Sequence, residues 1–420
     1  MLWQFLVSLL LGVTFGTFSG LIPGIHINLI GVFLVSLSAS SFSSLNPIYF
    51  VVFIVSMAIT HTFLDFIPSI FLGCPDTDTE LSILPGHELL KKGDGYQAIL
   101  LTAYGGLAAL FILILTAFPM IFATNFIQDS LAKYNNMLVM SIMPIILISV
   151  SILLISLEKK KFSAFLVFFI TGLLGIIILN PNEILGKSIE LNQPLLPLLT
   201  GLFGSSMILM SIKNKTEVPK QKIVNPKLTK KSIKPLFSAL IASPLCSFLP
   251  GLGSGQAAII GNIISKTDKK GFLILLGATN TLVMGFSFIA LYTISKTRTG
   301  AAVAIKEIIG SFSWKILILI LMVVLISGVI SFFLTKFLAK EFANKIGKVN
   351  YSFLSLITLI ILIIVVSAVS GILGLIVLTA STFTGIYCIS LGVKRTNMMG
   401  CLLLPTILFY LLEIIPKTTF

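Results

Sequence analysis

The chain has 420 residues, 56% hydrophobic and 10% charged, with 29 Lys and Arg against 15 Asp and Glu for a net charge of +14. A mean hydropathy of +1.07 excludes an ordinary soluble domain, where about a quarter of residues are charged, and points to a chain dissolved in a lipid bilayer. The basic residues fall in short breaks between apolar runs, so their excess reads as the positive-inside pattern of a membrane protein and not as a nucleic-acid surface.

Apolar stretches of helical length run over 2–20, 24–42, 47–70, 97–124, 137–157, 162–179 and 193–212. A second set runs over 235–250, 252–265, 271–295, 312–338, 351–370, 372–392 and 398–416. The first, Met1–Ser19, lacks a basic lead-in and a small-residue cleavage site, so it reads as a membrane segment and not a signal peptide. Between the sets, Lys213–Lys234 holds eight lysines against Glu217 alone. The charge rule assigns this linker to the cytoplasm, together with the basic breaks at 158–161, 266–270, 340–348 and 394–395. The expected organisation is an N-terminal transmembrane repeat (1–212), a basic cytoplasmic linker (213–234) and a C-terminal repeat (235–420), in the cytoplasmic membrane. Cys74, Cys246, Cys388 and Cys401 are scattered, with no spacing that suggests a metal site or a disulfide framework.

The two sets follow one order. Leu21-Ile-Pro-Gly24 follows the first segment of one, and Phe248-Leu-Pro-Gly251 follows the first segment of the other. Each then has a short segment, another hydrophobic segment, a polar loop (72–96 and 296–310), a long segment and three more. Seven crossings per half is odd, which turns the second half upside down. The expected fold is therefore an all-α polytopic membrane protein of two inverted-topology repeats, about six to seven hydrophobic segments each, with broken or re-entrant helices at the Pro-Gly motifs. If those segments are re-entrant, the total falls to about twelve.

In lipid, non-helical backbone is tolerated only where protein buries it or a wet cavity meets it. The two breaks are thus candidate substrate sites: Pro23, Gly24, His26 and Asn28 in the first, and Pro250, Gly251, Gly253, Ser254 and Gln256 in the second. Half-helix N-termini there suit an anion, and freed carbonyls suit a cation. Thr77 and Thr79, in the polar run Cys74–Glu80, offer hydroxyl oxygens, while His87 reads as a surface residue. Thr279 and Asn280 interrupt an apolar segment with hydrogen-bonding side chains, and Arg298 supplies a planar fork for a carboxylate or phosphate. Asp65, a carboxylate inside a membrane segment, is a coupling-ion candidate together with Asn262 and Thr281. No P-loop is present, which argues against a self-powered pump. No cofactor is expected beyond Na+ or H+ as coupling ion.

These residues resemble the large membrane subunit of the tripartite tricarboxylate transporter family, in its short prokaryotic, archaeal-type branch, over nearly the whole chain. The likeness rests on the breaks at Gly20–Gly24 and Pro250–Gly251, the Pro75…Pro85-Gly86…Lys92-Gly93 loop, Asn280 and Thr297–Gly300. Where the family has paired asparagines and a second Pro-Gly loop, this chain has Ala278-Thr-Asn-Thr281 and Thr297-Arg-Thr-Gly300. The resemblance implies secondary active uptake of an organic anion, driven by a sodium or proton gradient. It also implies a small membrane subunit and an external solute-binding protein as partners, besides the bilayer itself; self-association into a homo-oligomer is left open. Two other readings compete. One is translocation of a polyprenyl-phosphate lipid headgroup; the other is a membrane-embedded lipid-modifying enzyme built on His26, His61 and Asp65.

Overall fold

A backbone surrounded by hydrocarbon must satisfy its polar groups within the segment, and a helix does so. In a computed structural model, every secondary-structure element among the described residues is helical. The described residues are 2–22, 46–73, 79–133, 137–156, 158–179, 194–213, 219–248, 253–297, 299–346, 351–393 and 395–414. The helices are α1 (Leu2–Leu21), α2 (Pro47–Leu64), α3 (Phe66–Leu72), α4 (Ile83–Lys91), α5 (Gly95–Lys133), α6 (Met137–Ser156), α7 (Lys161–Leu179), α8 (Leu195–Leu199) and α9 (Ser206–Lys213). After the linker come α10 (Ile233–Phe248), α11 (Ser254–Ser265), α12 (Lys269–Ile294), α13 (Gly300–Ile309), α14 (Trp314–Ile346), α15 (Tyr351–Ser390) and α16 (Gly400–Ile414). Eight stretches among them are long and apolar enough to cross a bilayer.

The helices follow the apolar stretches closely, with three differences. The segment expected at 24–42 lies outside the described residues. The polar breaks at 72–96 and 296–310 are not plain loops but carry α4 and α13; Thr299 caps α13 by accepting from the Ala302 amide at 3.3 Å, and Gly93, at φ +80°, turns the chain out of α4. The third difference is at 351–390, where two stretches join as α15, broken at Gly371. That residue sits at φ +64°, ψ −160°, a region essentially restricted to glycine.

The contacts fall into two units. Unit 1 combines residues 1–125 with 215–358, and unit 2 combines 126–214 with 359–420. Each therefore draws chain from both sides of the linker.

In unit 1 the buried centre is α2–α3 and α12. α1 runs parallel to α2: Tyr49 Oη donates to Gln4 Oε1 at 2.6 Å near their starts, Phe15 packs on Phe53, and Gly20 lies against Leu64 and Asp65. α14 runs parallel to α2–α3, because Ser331 donates to Thr60 at 2.9 Å and Phe342 stacks on Phe71. α5 lies along α12 so closely that a Cβ on Gly105 would strike the Ile274 carbonyl and one on Gly277 would strike that of Thr102. Small residues permit such backbone approach between membrane helices.

α10 and α11 form an antiparallel hairpin. Ser238, near the start of α10, donates to Ser265 at the end of α11, 3.1 Å away. At the other end of α10, Ser247 reaches the carbonyl of Val283, near the middle of α12, at 3.3 Å. With 16 and 12 residues, the arms are about 24 and 18 Å long at 1.5 Å per residue, short of a hydrocarbon core of about 30 Å.

The linker is tied down where it meets unit 1. Gln221 Nε2 donates to the Leu90 carbonyl at 3.1 Å and its Oε1 accepts from the Gly95 amide at 2.8 Å, which caps the end of α4 and the start of α5 together. The Lys222 amide donates to the Gly93 carbonyl at 2.8 Å. Glu88 pairs with Lys269 beside this turn, and Lys270 donates to Gln97 at 3.0 Å.

Candidate functional site

Polar residues are most deeply buried in unit 1 where the α2–α3 junction meets α12. Helix α2 ends at Leu64 because Pro68, which lacks an N–H, follows one turn later; Asp65 occupies the joint with helical dihedrals. Its amide donates to the His61 carbonyl at 3.0 Å. The carboxylate is 3% exposed, and its Oδ2 accepts from Asn280 Nδ2 at 3.0 Å. The same Nδ2 lies 3.4 Å from the Thr62 carbonyl, so Asn280 ties α12 to the joint and to the last turn of α2. A carboxylate at this depth is sustained by such donors and not by water.

Hydroxyls surround the pair. Thr60 accepts from Ser331, and Ser69 donates to the Asp65 carbonyl at 2.8 Å and lies 2.6 Å from Thr79 Oγ1. That contact pins the polar loop to α3, and within the loop the Thr79 carbonyl accepts from Ser82 Oγ at 2.7 Å. Thr281 Oγ1 is buried without a partner among the described residues, in the space left by Gly106 on α5. His61 is buried and shares a proton with Ser19 on α1 through Nδ1 at 3.0 Å. His87, expected at the surface, is 8% exposed: the left-handed Gly73 leaves room for its ring.

The second break is described from Gly253 onward. Gln256 folds back so that its Oε1 accepts from the Gly253 amide at 2.9 Å, the reciprocal half of a capping box. Ser254 and Gln256 are each 2% exposed, and Gln256 Nε2 is buried with no partner among the described residues. This donor stands at the N-terminus of α11, where the helix dipole is positive.

The expected residues thus separate. Asp65, Thr79, Asn280 and Thr281 are drawn to the α2–α3 joint with α12, whereas Gly253, Ser254 and Gln256 open α11. Thr279 bonds back to the Leu275 and Leu276 carbonyls at 3.0 Å, within its own helix. Asn262 lies at the far end of α11, where its Oδ1 accepts from the amide and the hydroxyl of Thr267 at 3.1 and 2.6 Å and closes the turn into α12. Pro23, Gly24, His26, Asn28, Thr77, Pro250, Gly251 and Arg298 lie outside the described residues. Ser19, Ser69, Ser331 and Gln221 were missed by the sequence reading. A signal existed for one part: Thr60-His-Thr62 and Thr279-Asn-Thr281 repeat one pattern on the two central helices.

The family model described as "Tripartite tricarboxylate transporter TctA family" matches residues 6–400. Uncharacterized protein MJ1079 of Methanocaldococcus jannaschii is 31% identical over 411 residues, covering 97% of this chain and 99% of that protein. No solved structure matches.

Proposed function

Since the chain belongs to the tripartite tricarboxylate transporter TctA family, we propose that it is a permease moving a small organic anion, a carboxylate, across the cytoplasmic membrane. Alternating access driven by a sodium or proton gradient powers the movement. One observation carries this reading: α1 ends against a buried carboxylate, and α10 ends one turn along α12 from the asparagine that holds it. α1 ends with Gly20 against Asp65, α10 ends with Ser247 on Val283, and Asn280, one turn before Val283, holds Asp65. The helices that precede the two Pro-Gly motifs thus end near one polar centre, which supports a site like that of transporters whose broken helices meet at the bilayer midplane.

The roles divide by charge. Gly253, Ser254 and Gln256 at the N-terminus of α11, with Pro250, Gly251, Arg298 and the first break (Pro23, Gly24, His26, Asn28), receive the anion. Asp65 with Asn280 and Thr281 receives the coupling cation, and Thr77 and Thr79 line its approach. Parallel α1 and α2 in the first half and parallel α10 and α12 in the second support inverted repeats, with α10–α11 as a re-entrant hairpin. Lys91, Lys92, Lys222, Lys269 and Lys270 gather at the linker end of unit 1, whereas Lys296, Lys306 and Lys315 belong to the other end; the imbalance supports a cytoplasmic linker. A small membrane subunit and an external solute-binding protein complete the system.

Uptake of labelled di- and tricarboxylates into proteoliposomes tests the reading. Accumulation should require an inward sodium or proton gradient and collapse with an ionophore. Flipping of a polyprenyl phosphate, with no carboxylate uptake under any gradient, would overturn it.

A further inference from the structure

Two of the 29 basic residues are arginines, Arg298 and Arg395. Arg395 begins the 3-10 turn Arg395–Met399 that leads into α16. Its Nη2 donates to the thioether of Met207, and its Nη1 is buried with no hydrogen-bond partner among the described residues. Among the described residues no carboxylate pairs with it. Glu158, the acid of this neighbourhood, instead accepts from Asn397 Nδ2 at 3.3 Å.

That environment is incomplete chemically. A guanidinium keeps its charge at any accessible pH, and a thioether is a weak acceptor. A part-buried cation with a buried spare donor and no described counter-ion is costly, so the arrangement calls for an anion that matches the fork.

The surroundings indicate which anion. The turn at 158–160 joins α6 to α7, and the turn after Ser390 leads from α15 toward α16. Lys160 Nζ links the two by donating to the Leu391 carbonyl at 3.4 Å. Four apolar helices therefore have an end at this level, and Lys159, Lys160 and Lys161 are exposed there. Where spanning helices stop, the phosphates of the lipid headgroups begin.

We propose that Arg395 is the anchor of a phosphate-binding site at this end of unit 2, with the exposed lysines of 159–161 at its rim. The ligand chemistry is a phosphate oxyanion, carried on a lipid headgroup or free in solution. The site is separate from the transport reading and stands or falls without it.

Thermal unfolding of the purified full chain in detergent tests the site with three probes: phosphatidylglycerol, phosphate-free diacylglycerol and inorganic phosphate. The wild type should gain several degrees with phosphatidylglycerol and none with diacylglycerol. A comparable gain with inorganic phosphate identifies free phosphate as a sufficient ligand and equally supports the site. In Arg395→Gln the gain should vanish, and in Arg395→Lys, which keeps charge but not the fork, binding should weaken about tenfold. Should Arg395→Gln fail to fold, the lysine variant decides. Unchanged gains in the variants, or a wild type that answers neither phosphate probe, would overturn the proposal.

Discussion

Asn280 donates to Asp65 across two helices drawn from opposite sides of the linker, Nδ2 to Oδ2 at 3.0 Å. Replacing Asn280 by Ala leaves a buried carboxylate short of a donor, at a cost of about 1–3 kcal/mol. Differential scanning fluorimetry should register a lower unfolding temperature. Asp65→Asn should unfold nearly as the wild type does, because an amide still accepts from Asn280, yet should lose gradient-driven uptake in proteoliposomes.

Gln256 offers the second measurable contact. Gln256→Leu keeps the volume but removes the unpartnered donor at the start of α11 together with the acceptor of the Gly253 amide. Loss of a hydrogen bond to a charged group is worth about 1.5–3 kcal/mol, so the substrate concentration for half-maximal uptake should rise roughly tenfold or more. An unaltered half-saturation value would remove Gln256 from the anion site.

The contact of α5 with α12 leaves no room for even a methyl group. Gly277→Ala should destabilise the protein by about 1–3 kcal/mol, the usual range for overpacking, because the atoms met belong to the Thr102 backbone and cannot rotate away. Gly310→Ala meets nothing within 4 Å, so its cost is that of the positive φ alone. Thermal denaturation of both variants separates steric from conformational cost.

Gln221→Ala removes both caps at the α4–α5 turn at once. Lost caps cost about 0.5–2 kcal/mol, and here the effect is local. Hydrogen exchange should accelerate at the amides of 93–97 while the centre of α12 keeps its protection.

Orientation is open to a labelling experiment. With Cys74 replaced, Cys246, Cys388 and Cys401 are buried, so an introduced cysteine reports its own side. Lys227→Cys should react with an impermeant maleimide only from the cytoplasmic face, and Glu307→Cys only from the opposite face. The reverse pattern would invert the assigned topology.

Much of this architecture could be read in advance because lipid punishes exposed backbone: apolar length marks each helix, and proline, glycine and lysine mark its ends. The boundary expected at 370–372 coincides with Gly371 for that reason. Asp65 stood out as a carboxylate in an apolar run. Its partner Asn280 was noticed separately, but nothing local in a single sequence joins residues 215 positions apart. Gln221 was invisible for a different reason. A glutamine in a lysine-rich linker resembles a solvated residue until the turn it caps is known. α4 and α13 were hidden by their short length and polar flanks.

The place where α1 ends also bears on how the proposed carrier meets the membrane voltage. The end of α1 lies against Asp65, so under the proposed function an ion held there has crossed only part of the electric field. One elementary charge carried across the whole membrane exchanges about 2.3 kcal/mol per 100 mV, and a site near the middle takes roughly half of it. On that reading the affinity for the proposed coupling ion shifts with membrane potential even at fixed concentration, and a hyperpolarised cell loads the carrier more fully than a resting one.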